Sequence, residues 1–323
     1  MSTFNLKNPI VRNSLVIRRF IINTLLVLMA LIVFSLSIAS GEILQLTNNN
    51  YRDDKPQIHN GQVVWWGNDG NDYEIFYWDG ASVQQLTNNN YRDEGPQIHN
   101  GQVVWQGNGI FFWDGASVQQ LTNNSTGGGS PQIHNGQVVW VGGGSEGFFY
   151  QIFYWDGASV QQLTNNYDDH YRPQIHNGQV VWQEGSAGRV YCWDGAIVQQ
   201  LEKALYDRGY PKPQIHNGQV VWSHLAVTSI WQEIFYWDGA SVQQLTNNDY
   251  PDSSPQIHNG QVVWAGDWSG EIYFWDGASV QQLTNNDWML SPLRFTTARW
   301  CGWAMTAMTG RFITGTGSAA FSN

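Results

Sequence analysis

Pro56-Gln57-Ile58-His59-Asn60-Gly61-Gln62-Val63-Val64-Trp65 decides the fold, because the same ten residues recur unchanged from Pro96, Pro131, Pro173, Pro213 and Pro255. Asn60-Gly61 lies between two short apolar runs, and both residues tolerate the positive φ that a type I′ hairpin turn demands. The string therefore predicts two antiparallel strands, residues 56–59 and 62–65. Successive copies stand 40, 35, 42, 40 and 42 residues apart, the period of a tandem array in which each unit is one supersecondary element.

A second string, WDGASVQQLTNN, begins at Trp78, Trp113, Trp155, Trp237 and Trp275, and a diverged copy, WDGAIVQQLE, begins at Trp193. Residues 74–78 are aromatic and β-branched and read as a third strand. Asp79-Gly80 turns the chain, and residues 82–86 read as a fourth. Apolar residues fall on both faces of the central strands, Val63 and Trp65 against Val64, and Ile75 and Tyr77 against Phe76 and Trp78. Such a sheet needs neighbours on both sides, which radial stacking supplies. Eighteen Trp, 34 Gly and only 13% charged residues fit strands and tight turns better than amphipathic helices. The fold class predicted is all-β, a β-propeller of four-stranded antiparallel blades. Six complete blades are expected over residues 40–291, with a seventh, built from the C-terminal tail, as the alternative.

The unit order, LTNN, spacer, Pro, glycine hairpin, apolar-Trp, spacer, EIFYWDG, QQLT, resembles the TolB-type propeller repeat over residues 43–286. Ile-His-Asn-Gly stands where that family usually has Ser-Pro-Asp-Gly, so the resemblance implies the architecture and not the family's partner. An isolated Leu44-Gln45-Leu46-Thr47 precedes the first complete unit, and the resemblance implies an outer strand that completes the last blade and closes the ring.

Both termini leave the repeat. Lys7, Arg12, Arg18 and Arg19 precede an uncharged apolar run over residues 20–39, which predicts that residues 1–39 are an export signal, or an N-terminal membrane anchor if they are not removed. Small Ser37 and Ala39 favour cleavage after Ala39. The expected location is secreted or periplasmic, with membrane contact only through residues 20–39 if uncleaved. Residues 292–323 form an aberrant tail. Codons for Gln-Ile-His-Asn-Gly-Gln-Val-Val-Trp-Val-Gly, read one base late, give Arg-Phe-Thr-Thr-Ala-Arg-Trp-Cys-Gly-Trp-Ala, which is residues 294–304. The tail is thus read as a frameshifted seventh repeat, loosely attached to six blades. A decayed product of repeat expansion, without present function, is one reading of the whole chain.

Charge excludes one partner class. The formal net charge of −11 falls to −15 without residues 1–40, which carry four basic and no acidic residues, so a phosphate backbone finds no basic cluster and no nucleic acid is expected. No nucleophile elbow, Walker loop or paired-His zinc motif occurs, and neither a catalytic residue, a metal nor a cofactor is expected. The repeated His59, His99, His134, His176, His216 and His258 flank hairpin tips on separate blade rims, too far apart to share a metal. His170 and His224 are expected in solvated loops. Cys192 stands where sister units have Tyr or Phe and reads as a small buried hydrophobe.

The Asn-Gly and Asp-Gly turns share one end of the ring. The remaining connections vary in length and content and share the other, which is the division expected of a rigid scaffold with one adaptable face. Candidate ligand-binding residues in those connections are Trp66, Asp69, Asp72, Asp168, Asp169, Trp231 and Trp268, with Trp288 as a further aromatic. Asp69, Asn71, Asp72 and Glu74 offer carboxylates but lack a full calcium-loop spacing. A non-enzymatic scaffold recognising protein or glycan is the leading expectation. A propeller-based hydrolase or lyase using Asp168, Asp169 and Glu184 is the rival.

Overall fold

The computed structural model describes residues 43–122, 128–144, 148–185, 188–201, 211–226 and 230–285. Residues 1–39, expected to be an export signal or anchor, and the tail of residues 292–323, expected to be a frameshifted repeat, lie outside the described residues, as do Trp288 and Cys301. Two compact units divide the chain, one of residues 1–45 and 297–323 and one of residues 46–296. All of the regular structure described below belongs to the second.

That unit contains six four-stranded antiparallel sheets, each made from consecutive strands of one repeat. The first is β1 (Asp53–His59), β2 (Gln62–Asn68), β3 (Tyr73–Trp78) and β4 (Val83–Gln85), paired in that order. Blades 2 to 6 repeat it over residues 94–120, 128–162, 170–200, 214–244 and 253–282. The hairpin turn has the conformation expected, with φ of 49° at Asn60 and 78° at Gly61. First strands of successive blades pack on one another and so form the innermost layer. In every blade but the fifth the proline of the string sits on that strand at a break in register, between Asp54 and Gln57 in β1, where a bulge absorbs the missing N–H.

Two aromatic contacts hold a blade and its neighbour. Within each blade the Trp of the second strand stacks on an aromatic of the third, as Trp65 on Phe76 at 5.8 Å and Trp222 on Phe235 at 5.9 Å. Between blades an aromatic of one third strand meets the closing Trp of the next, as Tyr77 with Trp113 at 4.9 Å and Tyr236 with Trp275 at 4.8 Å. Five apolar clusters result, one at each junction from blade 1 to blade 6. Among the described residues, no equivalent packing joins blade 6 to blade 1.

Leu44-Gln45-Leu46-Thr47 belongs to no strand of the six sheets, and Leu44 is exposed. The expected ring closure by this segment is therefore corrected: blade 6 takes its outer strand, Val280–Gln282, from its own repeat. The reason is local. The Asp-Gly turn delivers the fourth strand onto the third directly, so no edge is left for a distant strand.

Candidate binding face

The repeated histidines correct a second expectation. Each ends an innermost strand, and their rings form one continuous stack. Centroid separations are 4.2 Å from His59 to His99, from His99 to His134 and from His134 to His176. From His176 to His216 and from His216 to His258 they are 4.4 Å. In blades 1 to 5 the Nδ1 accepts the backbone N–H of the next blade's hairpin Asn, from Asn100 to His59 at 2.9 Å and from Asn177 to His134 at 3.0 Å. With Nδ1 an acceptor, the neutral ring carries its proton on Nε2. Burial pushes His99 and His216 down to about 4 and His134 down to about 3. The asparagines run alongside as an amide ladder, Asn60 to Asn100 at 3.1 Å and onward to Asn259. This end of the molecule is a chain of bonds between blades, with its imidazole lone pairs already used.

Where Cys192 replaces the aromatic, Trp237 has no ring partner at that position, and a cavity of about 340 Å³ lies at this same end, lined by Cys192, Trp237, Gln179, Asn217 and Gly239. Cys192 itself is buried, and burial pushes its thiol up to about 12. A thiol so held is neither a nucleophile nor a ligand at neutral pH.

The opposite end carries the connections between second and third strands and the crossovers between blades. Exposed aromatics collect here: Tyr51, Tyr91, Phe148, Tyr150, Tyr167 and Trp268. Trp231, from blade 5, meets Trp268, from blade 6, edge to face at 4.6 Å, so two of the expected residues form one aromatic corner with the Trp268 ring 68% exposed. Trp66 does not join them. It lies in β2, buried against Tyr73 at 4.6 Å with the Arg92 guanidinium 4.8 Å above its ring, because β2 extends three residues beyond the repeated string. Sequence reasoning passed over Phe148, Tyr150 and Tyr167. Their signal was aromatic residues outside the repeated strings, which Trp alone had been used to detect.

Asp69, Asp168, Asp169 and Glu184 at this end are held by the fold. Asp69 caps its own turn through the Asn71 N–H at 2.9 Å, and this bond holds its carboxyl below the ordinary range. Asp72 is half-buried two residues before Glu74. Asp169 accepts the Tyr150 N–H at 2.8 Å and the Tyr171 hydroxyl at 2.9 Å. Asp168 pairs with Arg189 at 3.0 Å, and Arg189 pairs with Glu184 at 2.7 Å.

His170 and His224 are buried strand residues, not loop residues, since the first and second strands run past the repeated string at this end. The His170 Nδ1 accepts the Trp182 indole N–H at 3.1 Å and its Nε2 faces the Asn166 amide oxygen at 2.9 Å. Burial lowers its pKa. The arrangement fixes a neutral ring between blades 3 and 4. Among the described residues no group of three or more His, Cys, Asp or Glu could hold a metal ion.

Beneath the exposed aromatics lies a buried polar layer at the blade junctions. Glu74 accepts the Asn89 N–H at 2.8 Å, and Asn89 donates to Asp93 at 2.7 Å. Burial raises Glu74 to about 7 and raises Asp93 as well. Glu233, Asn248 and Asp252 repeat this at the junction of blades 5 and 6. At the junction of blades 3 and 4 the same places are held by Gln151, Asn166 and His170, which avoids two buried carboxyls.

Comparison with solved structures matches this arrangement to radially stacked blades. The chain superimposes on the β-propeller domain of the Trilobed protease from Pyrococcus furiosus with a TM-score of 0.50 and 14% identity, over 73% of this chain and 85% of that one. The fold is a β-propeller. The computationally designed Ika8 protein matches with a TM-score of 0.50 and 17% identity, over 69% of this chain and 70% of that one. A prolyl endopeptidase matches with a TM-score of 0.53 and 11% identity, over 73% of this chain and 43% of the enzyme. At these identities the propeller's likeness to them is one of fold. No family model matches the chain, and no curated protein matches it.

Proposed function

We propose that this propeller is a non-enzymatic binding scaffold working outside the cytoplasm, where it recognises a protein or glycan ligand through the end that carries the variable connections. The observation that carries the reading is the set of exposed aromatic rings gathered on that end, with Trp231 and Trp268 brought edge to face from adjacent blades. Rings of this kind supply contact area at low conformational cost. Of the three carboxylates weighed for a hydrolase, Asp168 and Glu184 pair with Arg189 and Asp169 accepts two hydrogen bonds, which favours binding over hydrolysis. Placement outside the cytoplasm follows from the basic and apolar pattern of residues 1–39. The resemblance to TolB-type repeats suits a scaffold of this kind.

The test is binding of the mature protein to an oligosaccharide array and to fractionated extracellular protein. Trp231→Ala/Trp268→Ala is expected to lose at least tenfold in affinity for whatever the parent binds, with an unchanged β-sheet dichroism spectrum. Full binding by that variant, or turnover of a bound substrate, would overturn the reading.

A further inference from the structure

On either side of its Trp-Asp-Gly-Ala turn, blade 4 departs from the other five blades. Cys192 stands where they have Tyr or Phe, and Ile197 where they have Ser. Both residues line the same cavity of about 340 Å³, together with Trp237 and Asp238 of blade 5. Cys192 pairs with Val181 in the register that sets Tyr77 opposite Val64, Phe112 opposite Val104, Tyr154 opposite Val139 and Tyr236 opposite Val221. Each of those four rings meets the closing Trp of the next blade at 4.8–4.9 Å, inclined by 59–65°. The shorter Cys192 side chain leaves the corresponding place beside Trp237 to the cavity, and roughly 150 Å³ is already enough to hold benzene.

The second departure changes the polar end of that place. In the other five blades the Ser hydroxyl donates to the Oδ2 of the turn's Asp, from 3.0 Å at Ser117 and Ser159 to 3.3 Å at Ser82. Asp194 keeps the two backbone bonds to its Oδ1, from Ala196 and Ile197, and Ile197 has no hydroxyl to give its Oδ2. The Tyr154 hydroxyl bonds with Gln137 and the Tyr236 hydroxyl with Gln219, and each ring feels the carboxylate of its own turn, Asp156 or Asp238. Gln179 is the blade 4 counterpart of those glutamines and lines the cavity. The Cys192 thiol likewise feels Asp194. Backbone N–H groups of their own turns hold Asp194 and Asp238 below the ordinary carboxylate range, so both are anionic at neutral pH.

We propose that this cavity is a binding site for a small single-ring aromatic amine, with its ring in the place beside Trp237 that sister blades fill themselves and its ammonium group on the Asp194 carboxylate. The ring gains the edge-to-face contact that the other junctions already use. The ammonium supplies the donor that Ile197 withholds, as a charge-assisted bond, and Asp238 adds a second negative charge to the same lining. A neutral ring would forgo that bond, and an anionic one would meet two carboxylates. The site lies between the hairpins of blades 4 and 5, away from the variable connections, and stands whether or not that other end binds a protein or glycan.

The experiment titrates benzylamine into the full chain at neutral pH by calorimetry, beside benzyl alcohol and benzoate. Benzylamine is expected to bind saturably, with benzyl alcohol at least tenfold weaker and benzoate weaker still. Cys192→Tyr restores the ring of the repeat and is expected to weaken benzylamine at least tenfold with an unchanged β-sheet dichroism spectrum, whereas Cys192→Ala should bind it as the parent does. Asp194→Asn gives the same answer should Cys192→Tyr fail to fold: benzylamine is expected to weaken at least tenfold while benzyl alcohol is unchanged. No saturation by about 10 mM benzylamine, or benzyl alcohol or benzoate binding as tightly, would overturn the proposal. Parent affinity for benzylamine in folded Cys192→Tyr or in Asp194→Asn would overturn it too, because the amine would then sit elsewhere on an acidic surface.

Discussion

At the Asn-Gly end of the propeller every blade repeats the same hairpin, and the same bonds join each blade to the next from blade 1 to blade 6. At the opposite end the connections vary in length and content. The first end binds each blade to the next through the histidine stack and the asparagine ladder, so a change in one unit must fit its neighbours. The second end rests on blades whose aromatic packing is already complete beneath it, so its loops are free to differ. The contrast teaches that repetition marks where blades depend on each other, and divergence marks where they face outward.

The largest way to break this contrast is to strike the packing that both ends share. Trp222 is fully buried at the junction of blades 4 and 5, and Trp222→Ala is expected to cost about 3–5 kcal/mol of stability in chemical denaturation. Trp268→Ala, at the variable end, should stay within about 0.5 kcal/mol of the parent. Equal losses from the two would erase the distinction between scaffold and face.

Acid tests the invariant end next. Burial lowers His99, His134 and His216 to about 4, 3 and 4 from an ordinary 6.5. Their neutral forms thus contribute stability that is whole above pH 6.5 and is lost as pH falls toward 3–4. Protonation would also place a proton on each Nδ1 that now accepts an N–H, with like charges on rings 4.2–4.4 Å apart. The melting temperature is expected to fall steeply over that window, and His134→Gln should make the slope shallower. A flat profile from pH 7 to pH 4 would show that the stack does not hold the blades.

Base tests the other end with a smaller effect of opposite sign. Burial raises Glu74 to about 7, so its contribution is whole below the ordinary carboxylate range near 4.5 and is lost as pH rises through 7. Glu74→Gln should raise the melting temperature at pH 8 relative to the parent more than it does at pH 4. Gln151 already fills this position in blade 3, where it donates to the Asn166 and Asp168 carbonyls at 3.2 and 3.0 Å. An equal shift at both pH values would remove the ionisation as its cause.

The blades were legible because ten unchanged residues encode a turn, two strands and their faces together. What the string could not convey was which strand lies innermost, and that alone turns the histidines from separate rim residues into a stack. Trp66, His170 and His224 were read as loop residues for a related reason. Strands continue beyond the repeated string, to Asn68 in β2 and back to His170 in blade 4, and no local signal marks that extension. Trp268 and Trp231 were legible as aromatics outside the repeat, but their meeting across two blades was not.

Protein or glycan ligands are expected to meet the variable end and to leave the invariant end untouched. Hydrogen exchange of the mature protein, with and without the strongest binder found on the oligosaccharide array or among extracellular proteins, tests it most directly. The account predicts slowed exchange in the connections around Tyr150, Tyr167, Trp231 and Trp268, with no change in the Asn-Gly hairpins. Slowed exchange centred on the hairpins, or on the cavity beside Cys192, would contradict it.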